Sequence, residues 1–241
     1  ASVKRELISP DSPGNVGSMG TRILDFRFGL VDLEGVIFNP GILYRREFGR
    51  FLQRRYQISA KEALLFYQAH AILPLEVKFA RLLAQHGHSG EQAIQAASEF
   101  RGAMAASRPV VSEGARELLQ TLADREAQLF VLSETRSQIA ERQLEEVELR
   151  DLFGWVIGTE RAPRGRGQMV VCPETVGLPV ETFAAQSFVL AGIPEDVAAA
   201  RELGYYGIGI AHLFPEATFT AHGAREVYRH VAHLSLELRR G

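Results

Sequence analysis

Apolar residues in this chain gather into short runs, each ended by a polar or glycine-containing stop. Phe28-Gly29-Leu30-Val31 halts at Asp32-Leu33-Glu34-Gly35, and Gln128-Leu129-Phe130-Val131-Leu132 halts at Ser133-Glu134-Thr135. Trp155-Val156-Ile157 stops at Gly158-Thr159, Ser187-Phe188-Val189-Leu190-Ala191 at Gly192, and Gly207-Ile208-Gly209-Ile210-Ala211 at His212. Runs this short, without alternation, read as strands buried on both faces. Between most of them the apolar spacing becomes helical. Leu118, Leu119 and Leu122 share one face of a helix expected from Ser112 to about Asp124. A second helix is expected over Ser137 to Val147. A third starts at Pro194-Glu195-Asp196 and ends at Gly204, with proline in its first turn and glycine past its end. Strands alternating with helices predict an α/β fold with a parallel sheet covered on both faces.

The first two strands are separated by roughly ninety residues, far more than an ordinary crossover needs. That stretch carries helical patterns at about 44 to 56, 60 to 70, 74 to 87 and 91 to 106, and no convincing strand. The expected organisation is therefore an α/β core over 21–38 and 109–241, interrupted by an all-helical cap over 39–108. Residues 1–20, rich in Gly, Pro and Ser, read as an arm or leader. Met19 is a candidate native start, preceded by a scar-like Gly17-Ser18.

Composition narrows the function classes. The 241 residues carry 27 basic and 29 acidic side chains, a formal charge of -2. That balance offers no basic face for nucleic acid, though a small anionic substrate needs only a few local donors. No apolar run is long enough to span a membrane, and no secretory h-region opens the chain. The single cysteine, Cys172, rules out an intramolecular disulfide and a Cys-rich zinc site, and a cytoplasmic location is expected. Lysine occurs only at Lys4, Lys61 and Lys78, so a catalytic ammonium is not available beyond residue 78. His86 and His88 read as a solvated turn, and His230 and His233 as a partly exposed helix face. The arginines of the first cap helix (Arg45, Arg46, Arg50, Arg54, Arg55) read as a solvated face rather than an anion site.

In an open parallel sheet, ligands bind at the carboxyl ends of the strands. The residues just after each run are therefore the candidates. A carboxylate at a strand tip such as Asp32 can act as a nucleophile, and Glu34 beside it can trade protons. Taken alone, the same string favours a capped turn with a solvated Glu34. Ser133 is either a donor to an oxyanion or a helix cap.

Taken together and in order, these segments resemble the haloacid dehalogenase superfamily of phosphatases and dehalogenases. Val31-Asp32-Leu33-Glu34-Gly35-Val36-Ile37-Phe38 looks like its first motif, an Asp-x-Asp-Gly loop. Phe130-Val131-Leu132-Ser133 is similar to the second, and Asp196 to Gly204 to the end of the fourth and its helix. The resemblance spans about 22 to 215 and implies a Rossmann-like core with a helical cap. It further implies that Asp32 forms an aspartyl-phosphate, that Glu34 is the general acid/base, and that Ser133 bonds the transferring phosphoryl group. Gly35, Glu134, Arg164 and Arg166 would line the substrate site. Asp32, Glu34, Glu195 and Asp196 would be the side chains available to Mg2+, and the substrate would be a small phosphorylated molecule.

The chain departs from the family pattern at three places. Glu34 stands where an Asp is usual. Arg161-Ala162-Pro163-Arg164-Gly165-Arg166-Gly167-Gln168 offers no lysine for the third motif. Leu190-Ala191-Gly192-Ile193-Pro194-Glu195-Asp196 puts Gly192 or Ile193 where a metal-binding Asp belongs. Two alternatives therefore stand beside the hydrolase: a catalytically silent binding protein, and a metal-independent dehalogenase-type hydrolase.

Overall fold

The computed structural model describes residues 19–70, 73–105 and 109–240, so the expected leader over 1–18 lies outside the described residues. All five apolar runs are strands: β1 (Phe28–Asp32), β2 (Gln128–Leu132), β3 (Trp155–Ile157), β4 (Ser187–Ala191) and β5 (Tyr206–Ile210). A sixth, β6 (Glu226–Tyr228), escapes the pattern because it is a short edge strand with only Glu226 buried. The strands form one parallel sheet in the order β3-β2-β1-β4-β5-β6. β1 lies between β2 and β4, with Asp32 level with Leu132 and Val31 level with Leu190.

Alternate residues of the strands enter different cores, as a two-residue period requires. Val31, Val131 and Leu190 pack against Leu118, Leu119 and Leu122 of α5 (Ala115–Asp124), Leu144 of α6 (Ser137–Glu146) and Leu234 of α11 (Val231–Leu238). Phe28, Leu30, Phe130 and Val189 face the other way. They meet Met169 and Cys172 of α7 (Arg166–Thr175), Phe183 of α8 (Val180–Ala184), Val197 of α9 (Pro194–Glu202) and Phe219 of α10 (Glu216–Ala221). Cys172 is the small buried hydrophobe its setting requires, and burial pushes its thiol pKa up. Ser112 does not open α5, which starts at Ala115; the Ser112 hydroxyl is buried and has no hydrogen-bond partner among the described residues.

The long insert between β1 and β2 is helical: α1 (Pro40–Tyr56), α2 (Ala60–Ala69), α3 (Leu75–Gln85) and α4 (Gly90–Ala105). It has its own core, in which the rings of Phe48, Phe79 and Phe100 meet at centroid distances of 4.9, 5.7 and 6.0 Å. Arg45, Arg50, Arg54 and Arg55 are exposed, and Arg50 pairs with Glu47 at 2.9 Å. His86 Nε2 bonds Glu62 at 2.7 Å on the cap surface. Lys78 is buried in α3, where its ammonium donates to the Leu73 carbonyl and lies over the Tyr67 ring. No helix among the described residues is long and apolar enough to cross a membrane.

Candidate active site

From β1 the chain steps outward through β2 to β3, then crosses back to β4 on the other side of β1 and steps outward again through β5 and β6. This reversal leaves a crevice at the carboxyl ends of the central strands, where ligands of such sheets bind. Asp32 stands at its centre and is almost fully buried. The chain then doubles back. The Leu33 amide donates to the Leu132 carbonyl (2.8 Å), the Ile37 amide to the Asp32 carbonyl (3.2 Å) and the Phe38 amide to the Leu33 carbonyl (2.8 Å). Gly35 permits this return by adopting φ +126°.

The turn aims Glu34 at the end of β2. The Ser133 hydroxyl donates to Glu34 Oε1 at 2.7 Å, and the Glu134 amide donates to Oε2 at 3.1 Å. Ser133 is fully buried, and its Oγ accepts from the Thr135 amide at 3.0 Å. Its carbonyl accepts from Gln168 Nε2 at 2.7 Å, so α7 braces the end of β2 from beneath. Burial lifts the Glu34 pKa from 4.5 to about 7. The nearby Glu134 charge adds to the rise, and the two donors oppose it. Glu34 is thus a carboxyl poised to exchange a proton near neutral pH.

The remaining polar groups converge on Arg164, from the loop between β3 and α7. Its Nη2 straddles both oxygens of Asp32, at 3.0 Å from Oδ1 and 2.9 Å from Oδ2. Its Nη1 donates to Glu134 Oε2 at 2.7 Å, and its Nε lies 3.4 Å from Asp196 Oδ2. Asp196 comes from the first turn of α9. It approaches Arg164 across Gly165, where a Cβ would stand 2.6 Å from Asp196 Oδ1. Burial raises the pKa of Asp32 and of Asp196, and in both the guanidinium pulls the other way. Arg164 itself remains charged.

At the tip of β4, Gly192 presents backbone in place of a side chain. Its amide donates to Asp32 Oδ2 at 3.2 Å. The Gly192 and Gly35 backbones are packed so closely that a Cβ on Gly192 would lie 2.7 Å from Gly35 Cα.

Of the residues singled out in the sequence, Asp32, Glu34, Ser133, Glu134, Arg164 and Asp196 form one bonded cluster, and Gly35 shapes its turn. Two fall outside. Arg166 turns to the surface, where it pairs with Glu202 at 2.9 Å, because it opens α7 on the helix's exposed side. Glu195 is exposed in the first turn of α9, while its neighbour Asp196 faces inward. The roles of Gln168 and of the Gly192 amide are not legible in the sequence. Both act through hydrogen bonds to backbone or from backbone, which leave no residue-type signature.

The Mg2+ implied by the motif resemblance does not fit these residues. Asp32 and Asp196 already face the Arg164 guanidinium, Glu34 accepts from Ser133 and the Glu134 amide, and the β4 tip adds an amide rather than a further carboxylate. Among the described residues, no group of three or more His, Cys, Asp or Glu side chains is arranged to hold a metal ion.

No family model matches the chain, and no curated protein matches it in sequence. Solved structures do match. A haloacid dehalogenase-like hydrolase from Streptococcus pneumoniae aligns with a TM-score of 0.64 at 16% identity, covering 87% of this chain and 97% of its own. A Clostridium difficile protein assigned as a phosphatase aligns with a TM-score of 0.69 at 14% identity, covering 89% and 99%. A Thermotoga maritima protein assigned as a beta-phosphoglucomutase gives 0.68 at 16% identity, covering 89% and 99%. The chain therefore has the haloacid dehalogenase-like fold, a parallel α/β core with a helical insert after the first strand.

Proposed function

We propose that this chain, built on the haloacid dehalogenase-like fold, is a hydrolase of a small phosphorylated molecule, with Asp32 as nucleophile and Glu34 as acid/base. The observation that carries the reading is the pairing of a buried strand-tip carboxylate with a second carboxyl held by Ser133. Oδ1 of Asp32 accepts one hydrogen bond and Oδ2 accepts two, so Oδ1 is the freer attacking atom. Its attack forms a P–Oδ1 bond as the P–O bond to the leaving group breaks. The leaving oxygen keeps that electron pair and takes the Glu34 proton. Water then attacks phosphorus and gives its proton to Glu34. The P–Oδ1 bond breaks, inorganic phosphate departs, and the Asp32 carboxylate is restored. Ser133 acts by orienting Glu34, and Arg164 supplies N–H donors to the phosphoryl oxygens. The core then spans 21–38 and 109–241. The cap at 39–108 is assigned the lid's task of choosing the substrate and excluding water.

Phosphate release from a panel of small phosphomonoesters, by wild type and Asp32→Asn, tests this. Turnover that vanishes in the variant supports it. A wild type no better than the variant across the panel overturns it and favours the silent scaffold. That second reading has its own support, since Arg164 satisfies both oxygens of Asp32. Halide release from 2-haloacids, dependent on Asp32, would instead select dehalogenation.

A further inference from the structure

We infer that the Arg164 guanidinium is a permanent, protein-borne replacement for the divalent cation at this strand-tip site, so that the site neither binds nor needs Mg2+. The catalytic consequence rests on the hydrolase reading, whereas the exclusion of the metal stands on the geometry of the site.

Arg164 makes the carboxylate contacts that a metal at this site would need. A metal at such a site would bridge carboxylates of different loops. Here one side chain does so: Nη2 lies on both oxygens of Asp32, Nε faces Asp196, and Nη1 holds Glu134. The end of β1, the loop after β2 and the first turn of α9 are tied to one cation. A second cation on Asp32 would face the guanidinium at close range in a crevice of reduced dielectric, where like charges repel strongly.

Steric contacts at the β4 tip point the same way. One of the two positions from which a metal-binding carboxylate could grow there is Gly192. A Cβ on that residue would meet Gly35 Cα at 2.7 Å, Gly35 C at 2.9 Å and Asp32 Oδ2 at 3.1 Å. Two of those contacts are backbone, so adding a side chain means moving the turn that carries Glu34. The glycine pair and the arginine are thus one arrangement. The backbone closes where a carboxylate would stand, and the Gly192 amide takes over part of the contact with Asp32.

Exposure separates the bonds of Arg164 into fixed and exchangeable ones. Asp32 and Asp196 are buried, whereas the Glu134 side chain is 51% exposed. The bond from Nη1 to Glu134 is the exchangeable one. A phosphoryl oxygen that displaces the Glu134 carboxylate gains an Arg164 donor, while Nη2 and Nε keep the guanidinium seated. Arginine suits this task because its several N–H groups point in fixed directions and its charge persists at all working pH values. The phosphoryl transfer written above balances without a metal ion.

The test uses the full chain, stripped with EDTA. Manganese binding is read from the electron paramagnetic resonance of free Mn2+, and phosphate release is followed with EDTA and with added Mg2+. The expected result is equal turnover in both conditions and no Mn2+ uptake. Arg164→Gln should lose turnover by on the order of a hundredfold, with Arg164→Lys, which keeps the charge but not the geometry, lying between. Turnover only with Mg2+, or Mn2+ uptake abolished by Asp32→Asn, overturns the inference and leaves the hydrolase reading intact. If nothing turns over, the hydrolase reading falls and the Mn2+ arm decides alone. No uptake by wild type, or uptake that survives Asp32→Asn, supports the inference; Asp32-dependent uptake overturns it. That arm needs no Arg164 variant, and a cooperative thermal unfolding of Asp32→Asn separates lost uptake from a lost fold.

Discussion

The two sides of the crevice are built by different means. On the β1–β2 side, side chains carry the candidate chemistry: Asp32 and Glu34 stand at the tip of β1 and Ser133 at the tip of β2, and Ser133 bonds Glu34 directly while the Glu134 amide holds its other oxygen. On the β4 side, backbone contributes the contact to Asp32 through the Gly192 amide, and the charge arrives from elsewhere in the chain, on Arg164. On the proposed function, the first half holds the groups that proton transfer and nucleophilic attack require, while the second gathers its positive charge on a guanidinium. Charge compensation in a crevice depends on where positive charge sits, not on which element carries it, so this half has more freedom to change.

The comparison breaks most sharply at Asp32. Replacing it with Asn removes the attacking oxygen's charge, and phosphate release should fall by at least about a thousandfold. An effect of only a few-fold would mean that the intact side of the crevice is not the reacting side.

Glu34→Gln should cost between about a hundredfold and ten thousandfold on alkyl phosphates, whose leaving oxygen needs a proton. The loss should be smaller on 4-nitrophenyl phosphate, whose leaving group needs little protonation. In wild type, the first chemical step should slow as pH rises through about 7, where Glu34 loses its proton, and the variant should lack that limb. Stability moves in the same sense. The folded state raises the Glu34 pKa from 4.5 to about 7, so it binds more protons than the unfolded state between those values. Stability from this group is therefore full below about pH 4.5 and is lost as pH rises to about 7. Urea unfolding across that range should show the fall in wild type and a flatter profile in Glu34→Gln.

Gly192→Ala probes the backbone side. The added methyl meets the Gly35 backbone, an overpacking that should cost about 1–3 kcal/mol. Thermal unfolding reads it, and an unchanged midpoint would show that the two turns can part easily. The smallest effect belongs to Arg166→Ala. Its ion pair with Glu202 is at the surface, so stability should shift by no more than about 0.5 kcal/mol and turnover should not change. A large loss would return Arg166 to the substrate site that the sequence suggested.

What the sequence by itself determined is the sheet and the ordering of its tips. Five runs of buried residues ended at five polar or glycine stops, and the parallel α/β rule then placed Asp32, Ser133 and Gly192 near one edge. The helical insert was equally legible, because its apolar spacing is helical throughout and its length exceeds a crossover. β6 was not legible, since Val227 and Tyr228 make too short an apolar run to stand out and the buried residue of the strand is Glu226. α7 was not among the expected helices either: Gly167 and the internal Pro173 interrupt its pattern, and Gln168, Met169 and Cys172 are buried in it. Only the tertiary structure decided which arginine enters the crevice. Arg164 and Arg166 are alike in type and two residues apart, but the path of the loop into α7 sends one to Asp32 and the other to the surface. It likewise decided that Gly192 abuts Gly35 across strands far apart in the chain. Local sequence records the preferences of each residue, whereas a charge network and a backbone clash are properties of pairs, fixed only when the strands have found their neighbours.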